Sequence, residues 1–551
     1  MIDFKNFKRP QRYIGNEWNA IVKRKKAKLR ICICYPDIYE IGMSNLGIKI
    51  IYSLLNKYPH VACERVFMPA DDMAEFISQG RKKLFSLETK TPLNEFDVLG
   101  IHLGYELNFT NFLNILELGG IPLKASDRKK TIVMGGGIVN PEPLAEFVDL
   151  FFLGEFEEAA DEFIGVLKKY RTKEERLAAL AQLDGFYVPK FYEVSFLNNT
   201  YHFEKKYAQA QLPIKRVYVK DLNNSHYPQK WLTPHTQIVH DRAQIEIARG
   251  CPNQCNFCQA KAVYFPYREK KLASITQLIT KIYETSGYEN FSLLSLSASD
   301  HSEIAEIIDS SYDFFKSKRI GLSLPSLRID DVVGRLYSKL LLLKKTSLTV
   351  AVEAANDPLR RSLNKKIDIK KLFEAAKIIK NLGVRYMKIY FMFGFSQESE
   401  EDLSAIGQFL NALNKSSGLA LKASINIFIP KPFSCWQNFP MEEEKILENK
   451  RKIILSYIPR RRNIKISLAF LKKSILEAVI SRADRKFSSV IYRAYTKGAK
   501  FDGYRENFSW NIWEDSMKEE GIDYRFYLDA RTDNFPWSFI ETANMHMSSN
   551  S

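Results

Sequence analysis

Short, continuously apolar runs alternate with stretches of helical spacing along most of this chain, and that alternation constrains the fold more than any other feature. "LRICICYP" (29–36), "FDVLGIHL" (96–103), "KTIVMGGG" (130–137) and "VDLFFLGE" (148–155) read as strands buried on both faces. Helical patterns follow them, as in "NLGIKIIYSLLNKYP" (45–59), "NFTNFLNILELGG" (108–120) and "EEAADEFIGVLKKY" (157–170). Parallel neighbours need a crossover of this kind, so residues 30–185 are expected to form a doubly wound parallel sheet. Ligands bind such sheets off the carboxyl ends of the strands, here "PDIYEIG" (36–42), "GYEL" (104–107), "GGGIVNPEP" (135–143) and "GEFEE" (154–158).

Residues 186–235, rich in Asn, Tyr and Pro, read as a linker. The alternation then resumes six times, with strands expected at 244–250, 291–299, 320–328, 347–355, 384–394 and 423–430. Six βα units over 236–445 predict a parallel barrel or part of one, with its site at the C-terminal ends of the strands. Residues 446–551 are helical, then aromatic and polar, and read as a C-terminal extension; residues 1–29 read as a basic lead-in.

Composition removes several classes of function. No apolar run approaches the roughly 18 residues that span a bilayer, and the N-terminus lacks the apolar segment of a secretory signal, so a soluble cytoplasmic protein is expected. Seven cysteines in 551 residues do not make a disulfide framework. Lys and Arg exceed Asp and Glu by 81 to 64, a net charge of +17 that favours anionic partners: RNA, a membrane surface or an acidic electron donor. The basic residues are scattered and no RNA-binding motif accompanies them.

Three cysteines fall within eight residues, in "IARGCPNQCNFCQA" (247–260), just after the first barrel strand. A redox couple needs two, and a zinc site usually needs four ligands from paired C-x2-C units, which are absent. A [4Fe–4S] cluster held by three cysteines leaves one iron open to a substrate or cofactor. C-x3-C-x2-C, with Phe257 before the last cysteine, resembles the signature of the radical S-adenosylmethionine (SAM) superfamily. The resemblance implies that Cys251, Cys255 and Cys258 hold the cluster and that SAM chelates the open iron. The reduced cluster then cleaves SAM to methionine and a 5′-deoxyadenosyl radical that abstracts hydrogen from a substrate. It also implies reduced flavodoxin or ferredoxin as electron donor.

The same resemblance assigns further residues. Ser297, Ser299 and Asp300 of "SLSASDHS" stand where the family has a Gly-Gly-Glu-like segment, although the glycines are absent. Glu353 matches a residue that reaches the SAM ribose or amine; a barrel-mouth ion pair with Arg328 or Lys388 is the alternative. Gly394 and Phe395 match the segment near the adenine, with Ser396 where proline is common. Lys388, Tyr390, Asn426, Pro430, Lys431 and Pro432 are expected around the cavity, Tyr390 through packing.

A doubly wound domain ahead of such a barrel is similar to the cobalamin-binding radical SAM class, and segments such as "RYIGNEWNAIVK" and "FDGYRENFSWNIW" resemble one subgroup of it. Gly135, Gly136 and Gly137 would allow close backbone approach to cobalamin. The D-x-H-x-x-G motif is missing, and His102 reads as a satisfied core or rim histidine rather than a cobalt ligand. Cys32, Cys34 and Cys63 read as core, with a second cluster as in the methylthiotransferases of tRNA or ribosomal protein as the alternative; Cys435 reads as packing. The expected function is radical SAM chemistry on an unidentified substrate, with cobalamin in a methyl transfer or rearrangement. Modification of tRNA or a ribosomal protein without cobalamin, and a non-catalytic iron–sulfur protein, are the alternatives.

Overall fold

The runs of Val, Ile and Cys near the N-terminus pair as the alternation predicts. The computed structural model describes residues 3–23, 27–324, 348–458, 462–531 and 534–543. The first sheet contains β1 (Leu29–Tyr35), β2 (Val61–Phe67), β3 (Val98–His102), β4 (Ile132–Gly136), β5 (Leu150–Phe152) and β6 (Phe186–Tyr187). Their order is β2-β1-β3-β4-β5-β6, parallel throughout except for β6 on β5. The direction of winding reverses between β1 and β3, the place where such sheets bind ligands.

β2 was not among the expected strands, because Glu64 and Arg65 interrupt its apolar run. Both charges are buried and answered. Glu64 accepts from Arg30 at 2.9 Å and from Ser86 at 2.6 Å, and Arg65 lies between Glu17 at 2.8 Å and Glu88 at 2.7 Å. A buried guanidinium is tolerated only with partners of this kind.

The crossovers leaving β1 and β3 run in opposite directions, so their helices, Leu46–Leu55 and Phe109–Leu118, cover opposite faces of the sheet. Strand alternation puts Ile31, Ile33, Tyr35, Gly100, His102 and Gly136 on the first face, and Cys32 and Cys34 on the second.

A hairpin follows, β7 (Tyr192–Leu197) with β8 (Thr200–Lys205), then the short β9 (Ile214–Lys215). The second α/β unit begins with β10 (Ala243–Glu246); β11 (Ala248–Arg249) pairs antiparallel with β12 (Arg268–Glu269). Parallel pairing joins β10 to β13 (Asn290–Leu294) and β13 to β14 (Gly321–Ser323). A further parallel sheet runs β15 (Leu348–Glu353), β16 (Tyr386–Phe393), β17 (Ala420–Ile427), β18 (Ile464–Leu468). These strands form the two parts of an open barrel of the expected class. Strands lie within each of the six expected ranges, with β10 and β11 dividing the first and residues 325–328 of the third outside the described residues; β18 adds another from the segment read as an extension.

Alternate residues of β15 to β17, such as Val350, Ile389 and Ile425, are buried in one core with Leu372, Leu410 and Leu447 of the outer helices. The intervening residues face the lumen. Lys388 there stands in register with Lys422, and Lys422 with Lys465. No carboxylate pairs with any of the three among the described residues.

The C-terminal segment returns to the first sheet. Helix Phe487–Thr496 packs on Phe109–Leu118, Asn140 donates to the carbonyls of Ser481 and Ala483, and Arg485 pairs with Glu142 at 3.1 Å. β19 (Ile540–Glu541) pairs with β9. Among the described residues, no helix is long and apolar enough to cross a membrane. Within the basic clusters at 23–30 and 451–465, residues 24–26 and 459–461 lie outside the described residues.

Candidate active site

β11 delivers the chain to Gly250, whose φ of 86° and tight surroundings allow only glycine: a Cβ would lie 2.6 Å from the Tyr264 carbonyl oxygen. The cysteine loop starts at the next residue. Its backbone is pinned to the mouth of the barrel. Asn256 donates to the carbonyls of Leu363 at 3.1 Å and Ser362 at 2.8 Å and accepts from the Trp436 amide. Gln259 donates to the Pro432 carbonyl at 3.1 Å. Phe257 packs against the cluster of Phe395, Phe428 and Trp436, so Phe257 and Phe395 meet as anchors of the loop.

Cys255 is buried; Cys251 and Cys258 are half-buried. Burial raises the Cys255 thiol, Lys365 opposes this, and Cys258, Cys251 and Glu353 lie within its electrostatic reach. Among the described residues, no three His, Cys, Asp or Glu side chains converge as a ready-made metal site.

The predicted SAM-contacting residues fall into two sets. In the turn Ala298–Asp300, Asp300 accepts from Ser297 at 2.6 Å and from Asn253 at 2.7 Å. Ser299 lies on the same turn. Asn253 also donates to the Cys251 sulfur at 3.5 Å. Asn253, which the sequence reading did not select, therefore ties the "SLSASDHS" segment to the cysteine loop. Glu353 ends β15 after a shift in register, with a φ of 66° that non-glycine residues rarely adopt. Burial raises its carboxyl and Lys365 opposes that rise. The charge that reaches Glu353 is that of Lys365; Lys388 lies on β16, and Arg328 lies outside the described residues.

Other expected lining residues serve the frame. Gly394, at φ 96°, donates its amide to Glu398 at 2.8 Å, and a Cβ there would sit 2.7 Å from Leu447. The Phe395 carbonyl accepts from Lys450. Lys431 is spent on Glu106 at 2.8 Å and Glu477 at 2.9 Å, joining three distant segments. Cys435 is exposed rather than packed.

A cavity of ≈ 500 Å³ separates the first sheet from the barrel. Ile31, Ile33, Gly100 and Gly136 form its floor, helix Leu46–Leu55 contributes one wall, and Arg249 and Gly250 belong to its roof. A Cβ on Gly136 would meet nothing within 4 Å, so this glycine leaves the floor open. Gly137 borders the cavity at φ 74°. Gly135 points to the other face, where a Cβ would strike Leu103 and Phe151 at 2.8 Å; it serves packing, not a cofactor surface.

His102 lies at the rim, stacked on Tyr35 with ring centroids 5.1 Å apart and planes 13° from parallel. Burial lowers it to about 4, so the ring is neutral. The rim position is the expected one, but no protein group answers the ring: among the described residues, neither ring nitrogen has a hydrogen-bond partner.

The roof is clamped to the first domain by charge. Arg249 reaches Glu155 at 3.0 Å, Glu157 at 2.9 Å and Glu246 at 2.8 Å, and Arg268 reaches Glu155 at 2.9 Å. Burial alone would raise Glu155, but the Arg268 hydrogen bond and both guanidinium charges bring it below its ordinary value.

The family model described as radical SAM proteins, N-terminal, matches residues 47–189, and that of the radical SAM superfamily matches residues 245–410. Uncharacterized protein MJ0966 of Methanocaldococcus jannaschii is 25% identical over 469 residues, covering 85% of this chain and 91% of that protein. The ribosomal protein uS12 methylthiotransferase RimO of a Thermoanaerobacter species is 24% identical over 309 residues, 50% of this chain and 67% of that protein. Among solved structures, the radical SAM methyltransferase TsrM of Kitasatospora setae, with cobalamin and a [4Fe-4S] cluster bound, shares the fold. It has a TM-score of 0.52 and 11% identity, over 89% of this chain and 99% of that one. Matched across both of its α/β units by models of one superfamily, the chain belongs to the radical SAM enzymes.

Proposed function

We propose that this enzyme carries a [4Fe–4S] cluster and SAM at the barrel mouth and cobalamin in the cavity beside it. The observation that carries this is one of adjacency: Gly250 forms part of the cavity roof, and the next residue is Cys251. The unit at 30–185 is then the cobalamin domain and the barrel at 236–445 the SAM domain. When bound, the cluster would supply the electron that cleaves SAM to a 5′-deoxyadenosyl radical, and cobalamin would carry a methyl group or assist a rearrangement.

The residues fit these groups. Cys251, Cys255 and Cys258 are soft sulfur ligands on one loop, whose backbone is held at Asn256 and whose Gln259 side chain is tied to the Pro432 carbonyl. Lys365, beside Cys255, favours the thiolate that a cluster requires. Asn253 and Asp300 hold the Cys251 end of the loop, and Glu353 presents a carboxyl close to Cys255. Gly136 and Gly137 leave room for a broad, flat ligand at the sheet. Arg249 and Glu155 keep the roof closed over it and exclude water. Lys388, Lys422 and Lys465 give the lumen a basic wall, which suits an anionic group on the substrate. Reduced flavodoxin or ferredoxin in the cytoplasm would supply the electron.

Cys32, Cys34 and Cys63 are completely buried in the core, which does not favour a second cluster of the methylthiotransferase type.

Anaerobic reconstitution tests the proposal. About four irons per chain, SAM-dependent release of 5′-deoxyadenosine and retention of cobalamin near 1:1 are expected. Gly136→Phe should cut cobalamin retention while leaving iron content unchanged. Full cobalamin retention in that variant would move the cofactor out of the cavity, and loss of SAM cleavage with an intact cluster would overturn the catalytic assignment.

A further inference from the structure

SAM cleavage leaves His102 without a task, yet its surroundings are unusual. Alternation along β3 brings Gly100 and His102 to the cavity face, with His102 at the carboxyl end, beside the reversal of winding between β1 and β3. Tyr35 fixes the plane of the ring from one side. Glycines flank it: a Cβ on Gly104 would come within 2.7 Å of Nε2, and a Cβ on Gly137 within 2.7 Å of Nδ1. Any side chain at either position would collide with a ring nitrogen.

Folded proteins seldom leave a partly buried imidazole without a hydrogen bond. His301 shows the usual arrangement here: Nε2 meets the Lys270 carbonyl at 2.9 Å, and Nδ1 accepts from the Glu303 amide at 3.1 Å. His102 has neither kind of partner among the described residues. Its pKa has been pushed down to about 4 by burial, so a free lone pair is present throughout the neutral range. A neutral imidazole nitrogen at the edge of an apolar cavity is a ligand for a transition metal.

Given cobalamin in this cavity, we propose that His102 donates a ring nitrogen to cobalt on the side of the corrin facing the first sheet. It would do so from the end of β3, without the D-x-H-x-x-G motif. The step is coordination only: the nitrogen lone pair forms the bond, and a water molecule or the cofactor's own benzimidazole leaves. The inference rests on the assignment of cobalamin to the cavity, and the test separates the two.

The full-length protein, loaded with cob(II)alamin, is compared by electron paramagnetic resonance with protein carrying ¹⁵N-histidine. A histidine ligand splits each cobalt line into three with ¹⁴N and into two with ¹⁵N. The benzimidazole of the cofactor gives three in both samples. The expected result is the change from three to two, lost in His102→Ala. Three lines in both samples, no nitrogen splitting, or a ¹⁵N effect that persists in His102→Ala would each overturn the proposal while cobalamin binding stands. Failure of the wild-type protein to retain cobalamin would overturn both assignments. Where His102→Ala does not fold, His102→Gln supplies the same comparison, and three lines or no nitrogen splitting in the labelled wild type overturns the proposal without either variant.

Discussion

Two cysteine trios occupy this chain under opposite conditions. Cys32, Cys34 and Cys63 lie on β1 and β2, fully buried, and burial raises all three thiols. Cys251, Cys255 and Cys258 lie on a loop at the barrel mouth, where only Cys255 is buried and Lys365 acts against its rise. The chemistry of the side chain is the same in both. What differs is the backbone: strands turn their sulfurs into a packed core, whereas a loop held at Asn256 and Gln259 leaves two of its three sulfurs only half-buried. A count of cysteines therefore says less about metal binding than the element that carries them.

The widest separation of the trios should appear in catalysis. Cys258→Ala is expected to remove the cluster absorbance and reduce SAM cleavage to background, whereas Cys34→Ala should retain both, measured after anaerobic reconstitution. Iron loss in Cys34→Ala would join the trios into one site.

Next in size is the clamp that holds the base of the cysteine loop. Arg249→Met leaves Glu155, Glu157 and Glu246 without their shared cation, and urea unfolding should register a loss of about 3–5 kcal/mol.

Burial also acts on acids near the loop. Glu398 is pushed up to about 7 by burial, despite Lys450 at 3.3 Å. The folded protein thus keeps a proton that the unfolded chain has already lost. Stability should fall by up to about 3 kcal/mol as pH rises from near 4.5 to 7, and Glu398→Gln should flatten that slope. A curve that rises over this window would show Lys450 to dominate instead.

The smallest effect belongs to the buried trio: Cys34→Ala should cost about 1 kcal/mol in thermal or chemical unfolding, the loss of one packed sulfur.

The sequence showed most clearly those features whose cause is local. Strands buried on both faces are continuous apolar runs, so β1, β3, β4 and β5 were legible. β2 was hidden by Glu64 and Arg65, whose partners lie far away at Arg30, Ser86, Glu17 and Glu88. β18 alternates as "IKISL" because one face borders the open lumen, and it gave too weak a pattern to stand out from the helices around it. The cysteine motif is contiguous and was readable in full. Asn253, Lys365 and the Arg249 clamp were not, because each matters only through residues that folding brings near. The missing partners of His102 belong to the same class: spacing cannot show an absence of contacts.

The return of the C-terminal segment to the first sheet bears on how the protein is made. Asn140, Glu142 and helix Phe109–Leu118 find their partners in residues 481–496. A ribosome adding about 5–20 residues per second needs some tens of seconds to travel from the end of the first domain to those partners. During that interval an apolar surface of the first domain lacks its cover, which makes the nascent chain a client for chaperones.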